Sequence, residues 1–292
     1  MIYSYIKWIR SWRMLIVLSV LLASFSSQVF AVRGVVFVHG TGFQTNAEVD
    51  YWTPNFINSV MSGNSNPYLV INCDFEEYIW KNRAAVCLAD QIYRWGVANK
   101  VTELHFITHS NGANVVRWIL SNPTWDFRYP IIITATKNVT AIAPSSGGTP
   151  LANAVINGNI FEQSLGWLLG YASDAVFLQQ VEYMAFMNEF WLLGTQGRAL
   201  PVPFKVITGT DVESSPFDSD SYCGGYSNQV ALEFTQNWLN SCSDGFLECS
   251  SQEVAGTVWF RDKQVMNGGE PLSHQQSRRA CFGLDQVLRN DI

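Results

Sequence analysis

The segment VTELHFITHSNGANVVRWIL, residues 101–120, sets a serine between two apolar runs of different period. Leu104, Phe106 and Ile107 form a short β-like run, while Val115, Val116, Ile119 and Leu120 fall on one face of a helix. The junction reads Thr108-His109-Ser110-Asn111-Gly112. A strand that turns this sharply into a helix lifts the Ser110 hydroxyl beyond the carboxyl end of a sheet and sets a helix N-terminus under any oxyanion formed there. The corresponding chemistry is nucleophilic attack on an acyl carbon. Strand and helix backbones pass close at such a turn, so small residues are needed two positions either side of the serine. Gly112 meets that demand; Thr108 meets it less well.

A serine nucleophile requires a general base, and the chain holds four histidines. His105 falls inside the strand leading to the turn. His109 is too close in sequence to aim its ring at the neighbouring hydroxyl. His39 belongs to GVVFVHGTGF (34–43), a buried β-like run that opens into His39-Gly40-Thr41-Gly42 and reads as pinning its own loop. By elimination the base is His274, in PLSHQQSRR near the C-terminus.

In such a site the loop after the first strand supplies one backbone N–H to the oxyanion, and the residue after the nucleophile supplies the other. Thr41 and Asn111 are the expected donors. Two residues compete for the acid that orients the base. Asp211 ends the β-like run FKVITGT (204–210), and Asp244 sits in a Ser243-Asp244-Gly245 turn.

With these residues the chain resembles the secreted bacterial triacylglycerol lipases of the α/β-hydrolase superfamily. The resemblance rests on the apolar strand into His39-Gly40, the His109-Ser110-x-Gly112 elbow, the Asp244-Gly245 turn with Cys249-Ser250-Ser251 after it, and His274. It spans the sheet-forming parts from about Arg33 to the end, but only the elbow and the Asp-Gly…Cys-Ser-Ser stretch are specific. It implies an α/β-hydrolase fold, a mostly parallel central sheet with helices on both faces and a helical cap inserted at about 148–200. It also implies that Asp244, not Asp211, is the acid, and that a hydrophobic carboxylic ester or lipid is cleaved through an acyl-enzyme without a cofactor. Those lipases often hold Ca²⁺ partly through an aspartate two residues after the base; here that place is Gln276, so no metal site is carried over. The stretch between elbow and acid has no residue-by-residue match.

The inserted stretch is rich in aromatic and aliphatic residues, and Trp167, Leu168, Leu169, Phe177, Met184, Phe186, Met187, Phe190 and Trp191 are expected to line an acyl-chain site or to fill the core. Such a cap suits a bulky apolar ester better than a small polar substrate. A net charge of −6 argues against nucleic acid and against docking on anionic lipid, leaving apolar contact with a lipid surface. A monomer is expected.

Residues 1–31 read as a secretory signal. Lys7, Arg10 and Arg13 precede the apolar run Met14–Phe25, and Val29-Phe30-Ala31 fits a small-residue cleavage site. A secreted or periplasmic hydrolase domain, residues 32–292, is the expected mature chain. All six cysteines lie in it, an even count that reads as disulfides, with Cys73 and Cys87 bracketing one helical segment and the other four stapling the loops of Asp244 and His274. Thioesterase, amidase or acyltransferase activity from the same residues is the alternative, because a fold does not fix the acyl donor. A non-catalytic binding protein, suggested by Thr108 at a tight position, is the more distant one.

Overall fold

The computed structural model describes residues 31–158, 173–195 and 197–292. The signal reading falls outside these residues, as do Trp167, Leu168 and Leu169. Residues 32–292 form one compact unit.

Six parallel strands build the sheet in the order β2-β1-β3-β4-β5-β6. They are β1 (Arg33–Val38), β2 (Tyr68–Val70), β3 (Glu103–His109), β4 (Thr136–Ile142), β5 (Phe204–Thr208) and β6 (Thr257–Arg261). Buried on both sides, the central strands feed two cores through their alternate apolar residues. Val36, Val38, Leu104, Phe106, Val139 and Val206 face one layer, formed mainly by α2 (Cys87–Asn99), α3 (Gly112–Ser121) and α4 (Tyr129–Ala135). Val35, Phe37, Ile107, Ile142 and Ile207 face the other, which contains α1 (Pro54–Val60) and the C-terminal helix Leu284–Arg289. Helices therefore cover both faces of an all-parallel sheet, as expected.

The strand order places the site. From β1 the sheet grows one way to β2 and the other way to β3, so the loops leaving β1 and β3 diverge at their carboxyl ends and open a crevice. Val38, the last residue of β1, is in register with Thr108 of β3. His39-Gly40-Thr41 and Ser110-Asn111 consequently emerge side by side.

The expected cap region holds three described helices, α5 (Pro150–Asn157), α6 (Asp174–Leu178) and α7 (Val181–Phe190). Met184 and Met187 are buried in the main core, the ordinary fate of apolar helix residues. Phe186, Met187 and Trp191 join Trp80, Trp118 and Trp125 around a cavity of about 380 Å³. None of Ser110, Asp244 and His274 lines it, so for these three cap residues the expected lining is of a separate cavity.

Three disulfides pair Cys73–Cys87, Cys223–Cys281 and Cys242–Cys249. The first is the expected pair, although what it brackets is mostly irregular chain with one helical turn at Asn82–Val86, and Cys87 itself begins α2. The other two flank the loops of Asp244 and His274, as expected of the remaining four cysteines.

Candidate active site

Ser110 adopts φ +53°, a left-handed conformation that a non-glycine residue holds only where surrounding contacts impose it. They do so here by bringing β3 and α3 almost into contact with the loop after β1. A side chain at 112 would place its Cβ 2.1 Å from the His39 carbonyl oxygen, so only glycine fits. Gly40 is held similarly, its virtual Cβ lying 2.4 Å from the Tyr51 hydroxyl and 2.9 Å from Ser110 Cβ. Thr108 is accommodated, but its buried Oγ1 has no hydrogen-bond partner among the described residues. α3 is buried along nearly its whole length, including Asn114 and Arg117, so Ser110 stands on an element packed into the core.

Asp244 and His274 meet. His274 Nδ1 lies 2.7 Å from Asp244 Oδ2, and the carboxylate is fully buried. Its other oxygen accepts the backbone N–H groups of Phe246 (2.9 Å) and Leu247 (2.6 Å), which fixes the plane of the carboxylate. Phe246 also stacks on the His274 ring, with centroids 4.5 Å apart. The loop is anchored in turn by Gln252, whose amide bonds both the N–H and the carbonyl of Gly209 just beyond β5. A side chain at Gly209 would wedge between the two loops, since its Cβ would lie 2.9 Å from Asp244 Cβ and 2.4 Å from the Leu272 carbonyl.

Asp211, the competing acid, lies elsewhere. Its carboxylate accepts Lys263 Nζ at 2.9 Å and Gln236 Nε2 at 2.9 Å, and about a third of the side chain is in solvent. It follows β5 in sequence, but the place beside His274 is filled by Asp244 from the later, disulfide-closed turn. Asp211 therefore lies in the expected region of the sheet, with its carboxylate bonded to Lys263 and Gln236 and not to His274.

His274 reaches the elbow through His109. The two rings are 4.6 Å apart between centroids, and His109 Nε2 lies 3.1 Å from the His274 carbonyl oxygen. Ser110 is the next residue after His109, so Asp244, His274 and Ser110 gather at one end of the sheet. The other histidines take the supporting places expected of them. His39 donates from Nδ1 to the Gly40 carbonyl (2.7 Å), stacks on Phe75 and is held by burial at a pKa of about 4. His105 lies inside β3.

The backbone N–H groups of Thr41 and Asn111 have no hydrogen-bond acceptor among the described residues, leaving both free for a ligand oxygen. The Thr41 hydroxyl accepts from Gln179 Nε2 at 2.8 Å, which ties the loop after β1 to the end of α6. Sequence reasoning did not identify Gln179, Tyr51 or Ser277 as neighbours of the site. The contacts of Tyr51 and Ser277 with His109, and of Gln179 with Thr41, join residues far apart in the chain and leave no local pattern. At the expected position after the base, Gln276 uses its amide to bond the Ser273 N–H and the Asp220 carbonyl. Among the described residues no group of three or more His, Cys, Asp and Glu side chains is placed to hold a metal ion.

Neither a protein-family description nor a curated protein matches the sequence. Among solved structures, the mature form of Bacillus licheniformis lipase BlEst2 superposes with a TM-score of 0.64 at 16% identity, over 88% of this chain and 90% of that one. The propeptide form of the same lipase gives a TM-score of 0.62 at 16% identity, over 84% of this chain and 47% of that longer one. The likeness is one of fold, and with the parallel sheet and elbow it establishes an α/β-hydrolase fold.

Proposed function

We propose that the chain is a secreted serine hydrolase that cleaves carboxylic esters of hydrophobic acyl groups. The observation that carries this reading is the buried Asp244–His274 pair, 2.7 Å apart, set beside a serine in left-handed conformation at a strand-to-helix elbow. His274 takes the Ser110 proton as Oγ attacks the ester carbonyl, and the Thr41 and Asn111 N–H groups receive the oxyanion. Collapse of the tetrahedral intermediate transfers that proton to the departing alcohol and leaves an acyl-serine. Water, deprotonated by His274, then hydrolyses the acyl-serine to the acid and regenerates the serine. Asp244 holds the imidazole tautomer and stabilises the imidazolium throughout.

Preference for an apolar ester is supported by the aromatic-rich cap sequence, while a net charge of −6 disfavours docking on anionic surfaces by charge. Secretion is supported by the N-terminal sequence 1–31 and by three disulfides, which persist in an oxidising compartment. The test is hydrolysis of chromogenic esters of graded chain length by the wild type and by Ser110→Ala. The wild type turns them over and the variant shows only background; equal rates in the two remove Ser110 from the chemistry. Thioesters and amides in the same panel decide between ester hydrolysis and the other acyl donors.

A further inference from the structure

His109, beside the nucleophile, is fully buried and makes hydrogen bonds through both ring nitrogens. Nε2 faces the His274 carbonyl oxygen at 3.1 Å and Ser277 Oγ at 2.8 Å. A carbonyl only accepts, so Nε2 carries the proton. Nδ1 faces the Tyr51 hydroxyl at 2.5 Å. Burial, with the nearby His274 and Arg278 acting the same way, pushes the His109 pKa well below its ordinary value. The ring is therefore neutral, its Nδ1 is bare, and the Tyr51 hydroxyl donates to it.

Tyr51 is itself held from the base side. Its carbonyl accepts Arg278 Nη1 at 2.8 Å and also Arg279 Nη1, and the Arg278 guanidinium carbon lies 4.2 Å from the centroid of its ring. The same phenol oxygen abuts Gly40 in the oxyanion loop. At the other end of the chain of contacts, the Ser277 hydroxyl donates to the His274 carbonyl at 2.8 Å. The main chain of His274 is thus gripped at both polar groups, its N–H by the Asp244 carbonyl at 2.9 Å and its C=O by His109 and Ser277.

We infer that Tyr51 and His109 are positioning residues for the base: the Tyr51 hydroxyl fixes the His109 ring with its proton on Nε2, and that proton holds the His274 carbonyl beside the nucleophile. This rests on reading Ser110, Asp244 and His274 as the reacting residues. Both side chains are buried. Without the phenol hydroxyl, the His109 proton is free to move to Nδ1 and the grip on His274 is lost.

The experiment compares the full chain with Tyr51→Phe, His109→Leu and His109→Gln, the last keeping an amide donor near the Nε2 position. Two readouts are taken: kcat and KM on a short-chain ester, and the low-field proton resonance of the His274 Nδ1–H shared with Asp244. A displacement of about 1 Å at a reacting group costs on the order of 100-fold in rate. His109→Leu is therefore expected to lower kcat about 100-fold with KM within about twofold, and to broaden or shift the resonance. Tyr51→Phe moves both readouts the same way by a smaller amount, and His109→Gln restores most of each. If His109→Leu does not fold, the single-atom change Tyr51→Phe decides by the same two readouts. Wild-type kcat and an unaltered resonance in the folded variants overturn the inference. If the wild type hydrolyses no ester while the resonance still responds to these substitutions, the positioning role stands and the ester reading falls.

Discussion

His274 is joined to Asp244 twice, by its ring Nδ1 to the carboxylate at 2.7 Å and by its backbone N–H to the Asp244 carbonyl at 2.9 Å. His274 cannot be displaced without pulling on Asp244, and the turn that carries Asp244 is closed by Cys242–Cys249.

This arrangement separates the two candidate acids experimentally. Asp244→Asn is expected to lower kcat about 10⁴-fold, since an amide at that place no longer enforces the tautomer with the proton on Nδ1. Asp211→Asn removes a half-exposed ion pair with Lys263, of the kind that contributes at most about 1 kcal/mol, and leaves turnover near wild type. Side-by-side kinetics check the assignment; a larger loss in Asp211→Asn reverses it.

The disulfides are expected to differ in what they support. Chain-entropy estimates give about 2 to 3 kcal/mol for the short Cys242–Cys249 loop and about 4 kcal/mol for Cys223–Cys281, whose partners are 58 positions apart. Replacing Cys242 and Cys249 together by alanine should cut kcat with only a modest fall in Tm, because the bridge closes the turn bearing Asp244. An unchanged kcat with an equal loss of stability would make that bridge purely structural.

Burial of neutral His39 makes folding sensitive to acid. The unfolded chain takes up this proton near pH 6.5, while the folded state resists it down to about pH 4. Stability from His39 is fully present above pH 6.5 and is lost as pH falls toward 4, by about 3 kcal/mol in all. His109 adds to the loss in the same direction. Urea unfolding at pH 7, 5.5 and 4.5 should show the decline, and His39→Gln should flatten part of it. A variant with the full wild-type decline contradicts this assignment.

Gly112→Ala tests the packing of the elbow. The new Cβ would meet the His39 carbonyl oxygen at 2.1 Å, and because that oxygen is backbone, relief requires separating α3 from the loop after β1. A cost of about 3 kcal/mol is expected, seen as a Tm lower by roughly 5 to 10 °C. An unchanged Tm would mean that the loop after β1 yields easily.

What could be read in the sequence was whatever local pattern enforces. The strand, serine and glycine of residues 104–112 are consecutive, so their periods and the demand for a small residue at 112 predict the elbow directly. His274 followed by elimination among four histidines. The choice of acid was harder, because Asp211 and Asp244 both lie beyond β5 and only packing decides which carboxylate turns inward; the resemblance to secreted lipases, not the residue pattern, pointed to Asp244. Tyr51 left no signal at all. Its contact with His109 spans 58 positions and depends on Arg278 and Arg279 reaching back from the C-terminal loop. The apolar residues of the cap were legible as apolar, but periodicity does not tell a core face from a cavity wall, and Met184 and Trp191 went to different destinations.

Covalent labelling by a serine-directed fluorophosphonate, followed by mapping of the modified peptide, tests the central claim most directly. The account predicts a single adduct on Ser110 in the wild type, none in Ser110→Ala, and strongly slowed labelling in His274→Ala. No adduct on the folded wild-type protein, or an adduct on another residue with Ser110 unmodified, would contradict it.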